Sequence, residues 1–362
     1  AADNAGVSRV EFKLDGNDWL VVSGTTAWTQ TLDTALYLNG SQTLTFRSFD
    51  TSGNVSPETN LVVRFFNVPG PYEQRISAGN PGNVTDCDNA VWLADRAHTF
   101  GSFGYVGGTI GYIANTVTGV CAQAQSLYQR ERYSSAGEPF RYLFDCPPGI
   151  YETVLLEAEM WVTAANQRLF NVVIENQLVR TNVDIFALAG GMNKPVSMTF
   201  TSEVHDSRLE VQFNPVIENA RISGIQVRKI ADVDSTGDGI PDWWMLGYFD
   251  HVAGIEPDRT RPEDDFDGDG ASNRDEYIAG TSPVDDSSVL NLHAALLGEQ
   301  VSVAFPTAPG RFYTLMATDI LIEPQWTNLD NAVWGDGSNA SIIDTNPPNN
   351  FRSYRIQVDY PR

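Results

Sequence analysis

Residues 265 to 276 carry the sharpest chemical signal in the chain. Carboxylates stand at Asp265, Asp267 and Asp269, a glycine follows at Gly270, and Asn273 and Glu276 come ninth and twelfth counting from Asp265. This is the spacing D-x-[DN]-x-[DN]-G-x5-E without exception. A hard divalent cation takes six to eight oxygens, and one short loop can supply them only if its acids alternate and its sixth residue allows a sharp turn. The spacing therefore predicts a calcium loop with ligands from Asp265, Asp267, Asp269, the Ala271 carbonyl, Asn273 and Glu276. Upstream, "DSTGDGIPDWWM" repeats the pattern in weaker form. Asp234, Thr236, Asp238, the Ile240 carbonyl and Asp242 hold ligand positions, but Met245 stands where the bidentate glutamate belongs. That loop predicts either a second calcium ion, completed by an oxygen from Asp232, Asp264 or Asp285, or a loop with a structural role alone.

The elements that position these acids are small helices. Trp243, Trp244, Tyr248, Phe249, Tyr277 and Ile278 are interleaved with the carboxylates, an apolar complement that a solvated acidic linker would not carry. The segment also dominates the charge of the protein. The chain of 362 residues has a formal charge of −23. Residues 232 to 286 hold 16 acids against three arginines, which is −13, leaving −10 for the rest. A field of that sign repels nucleic acid and anionic membrane surfaces, which are gripped through Lys and Arg. No apolar run is long enough to span a bilayer. Cys87, Cys121 and Cys146 form no C-x-x-C pair, so at most one internal disulfide forms. Which pair it joins, or whether all three thiols stay free, is open at this level.

The remainder reads as mainly β and multi-domain. Residues 1–67 alternate short strands with Asp-Gly and Asn-Gly turns: VEFKL, WLVV, ALYL, TLTFRSFD and LVVRFF, a pattern of small antiparallel sandwiches. With Trp28 and the ending "NGSQTLTFRSFDTSGNVS", which puts Asp50 and Asn54 in its closing turn, this part resembles bacterial Ig-like repeats, usually spacers. A "VPGP" linker follows.

Residues 71–230 continue in strands separated by Gly, Pro, Asn and Asp, the pattern of a jelly-roll sandwich. "WLAD" at 92–95, "YVGG" at 105–108, "LYQRERY" at 127–133, "FRYLF" at 140–144, "PGIYETVLLEAEMW" at 148–161, "QRLFNVVIENQLV" at 167–179, "VDIFALAGG" at 183–191 and "ARISGIQV" at 220–227 together resemble malectin-like domains. The match departs from that family at Arg130, where Thr is common, and at "EAEMW", where "FAE" and an aromatic are usual. The resemblance implies carbohydrate binding through loop aromatics and a few polar side chains, because a sugar offers an apolar CH face to a ring and hydroxyls to fixed donors and acceptors. Carried over by position, the implied contacts are Trp92, Asp95, Tyr105, Tyr133, Glu218 and Asn219. Each has a structural alternative: a core ring for Trp92, a loop cap for Asp95, sheet packing for Tyr133. Glu131 and Arg132 read as satisfying each other or their neighbours inside the fold. Glu157 and Glu159 alternate along an expected strand, which puts both on one face, a geometry that glycosidase acid/base pairs also use.

Residues 231–287, with "NRDEYIAGTSPVDDSS", resemble the tandem calcium modules related to dockerin loops and thrombospondin type 3 repeats. Residues 288–362 resume strands (VLNLHAAL, QVSVAF, RFYTLMAT, SIIDT, FRSYRIQV) as a small β module, with Trp326 and Trp334 as core or rim residues. No nucleophile elbow, Walker loop, H-E-x-x-H or dinucleotide fingerprint occurs. His98, His205, His251 and His293 are isolated. The sequence thus predicts a non-catalytic, carbohydrate-binding part of a secreted bacterial polysaccharide-degrading protein, with oligosaccharide or polysaccharide as partner and a catalytic domain elsewhere. The alternatives are an adhesin or scaffold stalk, or a glycan-active enzyme. A body this acidic favours a neutral or weakly charged glycan, unless Arg130, Arg132 and Arg141 cluster to reverse the sign locally.

Overall fold

The computed structural model describes residues 6–135, 137–329, 332–348 and 351–360. The protein is mainly β, in several sheets, and divides into two compact units, one ending at Val233 and one starting at Asp234.

The first unit opens with a four-stranded antiparallel sheet in the order Leu20–Val21, Val7–Leu14, Gly40–Asp50, Thr59–Phe65, with a short ribbon of Ser23–Gly24 and Trp28–Thr29 beside it. The Asp50 carboxylate closes the turn after its strand by accepting from the Ser52 and Asn54 amides, each at 2.8 Å. The strand expected at ALYL is instead a turn of 3-10 helix, Thr34–Leu36, because the Asp33 side chain caps it by accepting from the Ala35 amide. Phe100, from beyond the linker, packs into both apolar clusters of this sheet, against Phe12 and Tyr37.

Two larger sheets follow. One runs Phe103–Val106, Phe140–Asp145, Arg208–Ile217, Leu169–Ile174, Gln177–Val183; the other runs Pro195–Val204, Gly149–Ala158, Gly224–Ala231, Glu73–Ser77, Val91–Ala94, Val84–Thr85. Alternate residues of both sheets, among them Tyr142, Phe144, Tyr151, Leu155, Phe170, Phe213 and Ile225, close one shared core. A third sheet of three short strands, Thr109–Tyr112, Arg130–Tyr133 and Arg221–Ile222, carries the site described below. The open question of the cysteines resolves as Cys87–Cys121, with Cα atoms 5.8 Å apart, leaving Cys146 as a buried free thiol.

The second unit begins with two helices, Asp242–Phe249 and Asn273–Ala279, whose Trp243, Trp244, Met245 and Tyr277 form a compact core with Ile240. Gly280 ends the second helix at φ +81°, and a Cβ there would lie 2.4 Å from the Ala308 side chain, so the position requires glycine. Two antiparallel sheets complete the unit around Val303, Phe305, Tyr313, Leu315 and Ile342. Arg311 joins the helical part to these sheets by donating to the Tyr277 and Ile278 carbonyls at 2.8 Å. No helix of the described residues is long and apolar enough to cross a membrane.

Candidate functional site

A cavity of about 370 Å³ opens at the three-stranded sheet, lined by Gly111, Tyr112, Ile113, Glu131, Tyr133, Trp161, Arg168, Glu218 and Asn219. Its position follows from where strands stop. The expected long strand YETVLLEAEMWV ends at Ala158, so Glu159, Met160 and Trp161 turn out of the sheet and the Trp161 ring stands 68% exposed at the mouth. Opposite, strand Arg208–Ile217 ends at a turn with Glu218 at φ +59°, which presents Glu218 and Asn219 before the chain re-enters at Arg221–Ile222. Tyr112, 57% exposed, carries the Arg130 guanidinium 4.9 Å from its ring centre. A Cβ on Gly111 would lie 2.6 Å from Glu131 Oε1, so the glycine lets that carboxylate sit against the backbone at the wall.

The polar groups beneath the cavity are tied together. Fully buried Glu159 accepts from the Trp161 and Val162 amides through Oε1, at 2.9 and 3.1 Å, and from Arg168 Nε through Oε2 at 2.8 Å. Arg168 Nη1 donates to the Asn219 carbonyl at 2.6 Å and lies 3.7 Å from Glu218 Oε2. Fully buried Arg221 has its Nε 2.7 Å from Glu131 Oε2 and 3.4 Å from Glu157 Oε2. Burial pushes the Glu157 carboxyl well above the usual carboxylate range, against the lowering pull of Arg221.

Of the residues expected to touch sugar, Tyr133, Glu218 and Asn219 line this cavity. The other three lie elsewhere. Trp92 is only 3% exposed, in a cluster with Val84 and Leu127, its Nε1 donating to Asp86 at 2.9 Å; a ring so covered offers no face to a sugar. Asp95 pairs with Arg132 at 2.8 Å and accepts from Tyr142 Oη at 2.9 Å. Tyr105 packs against the sandwich core beneath the Arg132 guanidinium, 3.2 Å from its ring centre. Of the two expectations for Glu131 and Arg132, partnership with each other or with neighbours inside the fold, the second holds: Glu131 pairs with Arg221 and Arg132 with Asp95. The arginine cluster likewise dissolves, since Arg141 pairs with Glu210 and Arg132 is buried. The pairing of Glu157 and Glu159 as an acid/base couple fails as well: both are fully buried and each faces its own arginine, out of reach of a substrate. Trp161 and Arg168 are cavity residues that residue-by-residue reading passes over, and Glu131 enters that reading only as a paired group inside the fold.

In the second unit, Asp265, Asp267 and Asp269 bring one carboxylate oxygen each to within 4.8 Å of one another, so this triad can bind a metal. Asp265 accepts from the Gly268 and Gly270 amides at 2.7 and 3.1 Å, which folds the loop around it. Asn273 donates its amide to the Arg259 and Arg261 carbonyls at 3.1 and 2.7 Å, which fixes its oxygen's direction. Ser272 caps helix Asn273–Ala279, setting Glu276 in its first turn. Four buried oxygens have no donor: Asp267 Oδ2, Asp269 Oδ2, Asn273 Oδ1 and Glu276 Oε2. Burial and the facing Asp267 and Asp269 push the Glu276 carboxyl up to about 8. Buried acceptors without donors are costly, and a cation is the group that would satisfy four at once. The upstream loop differs. Asp234 accepts from the Gly237, Asp238 and Gly239 amides, Asp242 from Ser235, and Met245 is a core residue. Among the described residues it has no such donorless oxygens.

Residues 74–232 match the family model described as the Malectin domain. A probable receptor-like protein kinase of Arabidopsis thaliana is 31% identical over 116 residues, covering 27% of this chain and 14% of that protein. A putative receptor-like protein kinase of the same plant is 31% identical over 84 residues, covering 20% and 10%. The chain therefore spans about a seventh or less of the curated relatives it matches. Among solved structures, Bacteroides uniformis beta-glucuronidase aligns with a TM-score of 0.39 and 20% identity, over 62% of this chain and 26% of that one. The ANX2 ectodomain from Arabidopsis thaliana aligns with a TM-score of 0.35 and 13% identity, over 64% and 80%. The paired sheets and the cavity at their end thus lie in a malectin domain, which this chain carries at residues 74–232.

Proposed function

We propose that the chain is a non-catalytic carbohydrate-binding region, and that its malectin domain holds a glycan in the cavity between Tyr112, Tyr133, Trp161 and Glu218. The observation that carries this is the combination, in one concave site, of exposed rings with fixed polar groups. Trp161 and Tyr112 offer faces for the apolar side of a sugar ring; Glu131, Glu218 and Asn219 offer acceptors and donors for its hydroxyls. A binding region of this kind serves a secreted polysaccharide-degrading protein by proximity: tethering a catalytic domain to its polymer raises the local concentration of cleavable bonds. The Cys87–Cys121 bond favours an oxidising, extracellular setting for such a protein. A calcium ion at Asp265, Asp267, Asp269, the Ala271 carbonyl, Asn273 and Glu276 would stiffen the second unit without entering the sugar site.

Affinity electrophoresis of the intact chain in gels containing neutral polysaccharides tests the reading. Retardation should fall by about tenfold or more in apparent affinity in Trp161→Ala and Tyr133→Ala, and persist in chelator. A chain that runs freely through every polysaccharide gel, or variants retarded as strongly as the parent, would sink it. Release of reducing ends would instead favour an enzyme.

A further inference from the structure

The two lips of the cavity share one buried support. Trp161 lies after a strand of one sheet and Glu218–Asn219 after a strand of the other, and nothing in sequence proximity links them. Glu159 reaches both. Its Oε1 accepts the two amides that turn the chain at Trp161 and Val162, and its Oε2 orients Arg168. Arg168 in turn binds the Asn219 carbonyl and faces Glu218. Both side chains are nearly sealed from solvent, Glu159 at 0% and Arg168 at 5% exposure, so the pair acts chiefly by holding the walls, with only the edge of Arg168 reaching the cavity. In a dry setting, charge-assisted hydrogen bonds hold geometry more tightly than neutral ones.

We infer that Glu159 and Arg168 are the positioning residues of the sugar site: they set the spacing between the Trp161 ring and the Glu218–Asn219 turn, and Glu159 keeps the Arg168 charge from the ligand. This rests on the sugar-site reading above. It has a second consequence that a purely structural ion pair would lack. With Glu159 as carboxylate, the Arg168 cation, the one cation among the described residues that line the cavity, is already matched, and Arg130 reaches the site only across the Tyr112 ring. With Glu159→Gln, Oε1 can still accept the Trp161 and Val162 amides, but the carboxylate charge 2.8 Å from Arg168 is gone and only the half-exposed Glu218, at 3.7 Å, still faces it.

The experiment measures, by isothermal titration on the full chain, the affinity for a neutral oligosaccharide and for an oligosaccharide of uronic acids of equal length. The parent should prefer the neutral series. Glu159→Gln should weaken the neutral ligand by about tenfold, the worth of one or two well-placed hydrogen bonds, while the uronate series weakens less or gains. Glu159→Gln with Arg168→Met removes both charges together, which buried pairs tolerate better than loss of one partner. It should melt within a few degrees of the parent, still bind the neutral ligand about tenfold more weakly, and show no gain for uronate. A double variant that melts like the parent and binds like it overturns the inference, as does a single variant that weakens both series equally. If the parent itself binds no sugar, the sugar-site reading falls, and this inference with it; Trp161→Ala, an exposed lip residue, separates the two cases by losing affinity without touching the pair.

Discussion

Chelation of calcium should lower the melting temperature of the second unit, and the loop at Asp265 says by how much. Without a cation, Asp267 Oδ2, Asp269 Oδ2, Asn273 Oδ1 and Glu276 Oε2 stay buried with no donor. Each such acceptor costs about 1–3 kcal/mol, so the four set an upper bound of about 4–12 kcal/mol on the cost of an empty loop that does not relax. Linkage gives the smaller part that a melt reads. At about 1 mM free calcium, a site with a dissociation constant of about 10⁻⁴ M contributes about 1.4 kcal/mol, and one of about 10⁻⁶ M about 4.1 kcal/mol. At roughly 4 °C per kcal/mol for a unit of this size, the shift is roughly 6 to 16 °C. Tryptophan fluorescence reports it directly, because Trp243 and Trp244 pack on Tyr277, the neighbour of Glu276. Melts in EDTA and in calcium should differ by that amount in the parent and by much less in Glu276→Gln, which keeps the side-chain shape and loses its charge. Titration calorimetry should count one ion per chain. A transition unmoved by EDTA, together with no heat on titration, would refute the reasoning.

Three further outcomes are expected. Burial raises the Glu157 pKa in the folded state; with the folded pKa above the unfolded one, this contribution is full below the ordinary glutamate range and drains as pH rises from there towards the folded pKa. Glu157→Gln should accordingly gain stability relative to the parent as pH rises above the ordinary glutamate range, and a difference that is the same at acid and at neutral pH contradicts this. Cys87→Ser with Cys121→Ser opens a link of 34 residues' separation and should destabilise the malectin domain by about 4 kcal/mol on loop entropy, read by denaturant midpoint; an unchanged midpoint is the failing result. Phe100→Ala removes a half-buried ring shared by both apolar clusters of the N-terminal sheet and should cost about 2–3 kcal/mol, below the fully buried case. Hydrogen exchange should quicken in strands Val7–Leu14 and Gly40–Asp50 more than in Phe140–Asp145; uniform quickening would tell against it.

The strand-rich character was legible because alternation and turn residues are local. Val7–Leu14, Phe140–Asp145 and Gly224–Ala231 lie where their patterns put them. Local chemistry also misled where a side chain overrode propensity: Asp33 capped a helical turn in a segment that reads as strand. The cavity proposed to hold sugar was half legible. Tyr133, Glu218 and Asn219 flank short strands that the family pattern marks. Trp92 and Tyr105 carry the right chemistry for a sugar, and only packing reveals that their faces are already covered.

Glu157 and Glu159 show the boundary between the two levels of information. Tyr151, Thr153 and Leu155 alternate towards the core, and the same parity continued through Glu157 and Glu159 marks two acids on a buried face, which sequence alone can read. Their partners, Arg221 and Arg168, stand 64 and nine residues away from them, and a buried charge can be matched by any arginine that the topology delivers. The calcium loop is the opposite case. Its proposed ligands lie within twelve consecutive residues, so spacing alone names them, with no need of the fold. The cavity proposed for glycan draws its walls from separate strands and turns, and its shape exists only once the sheets have packed.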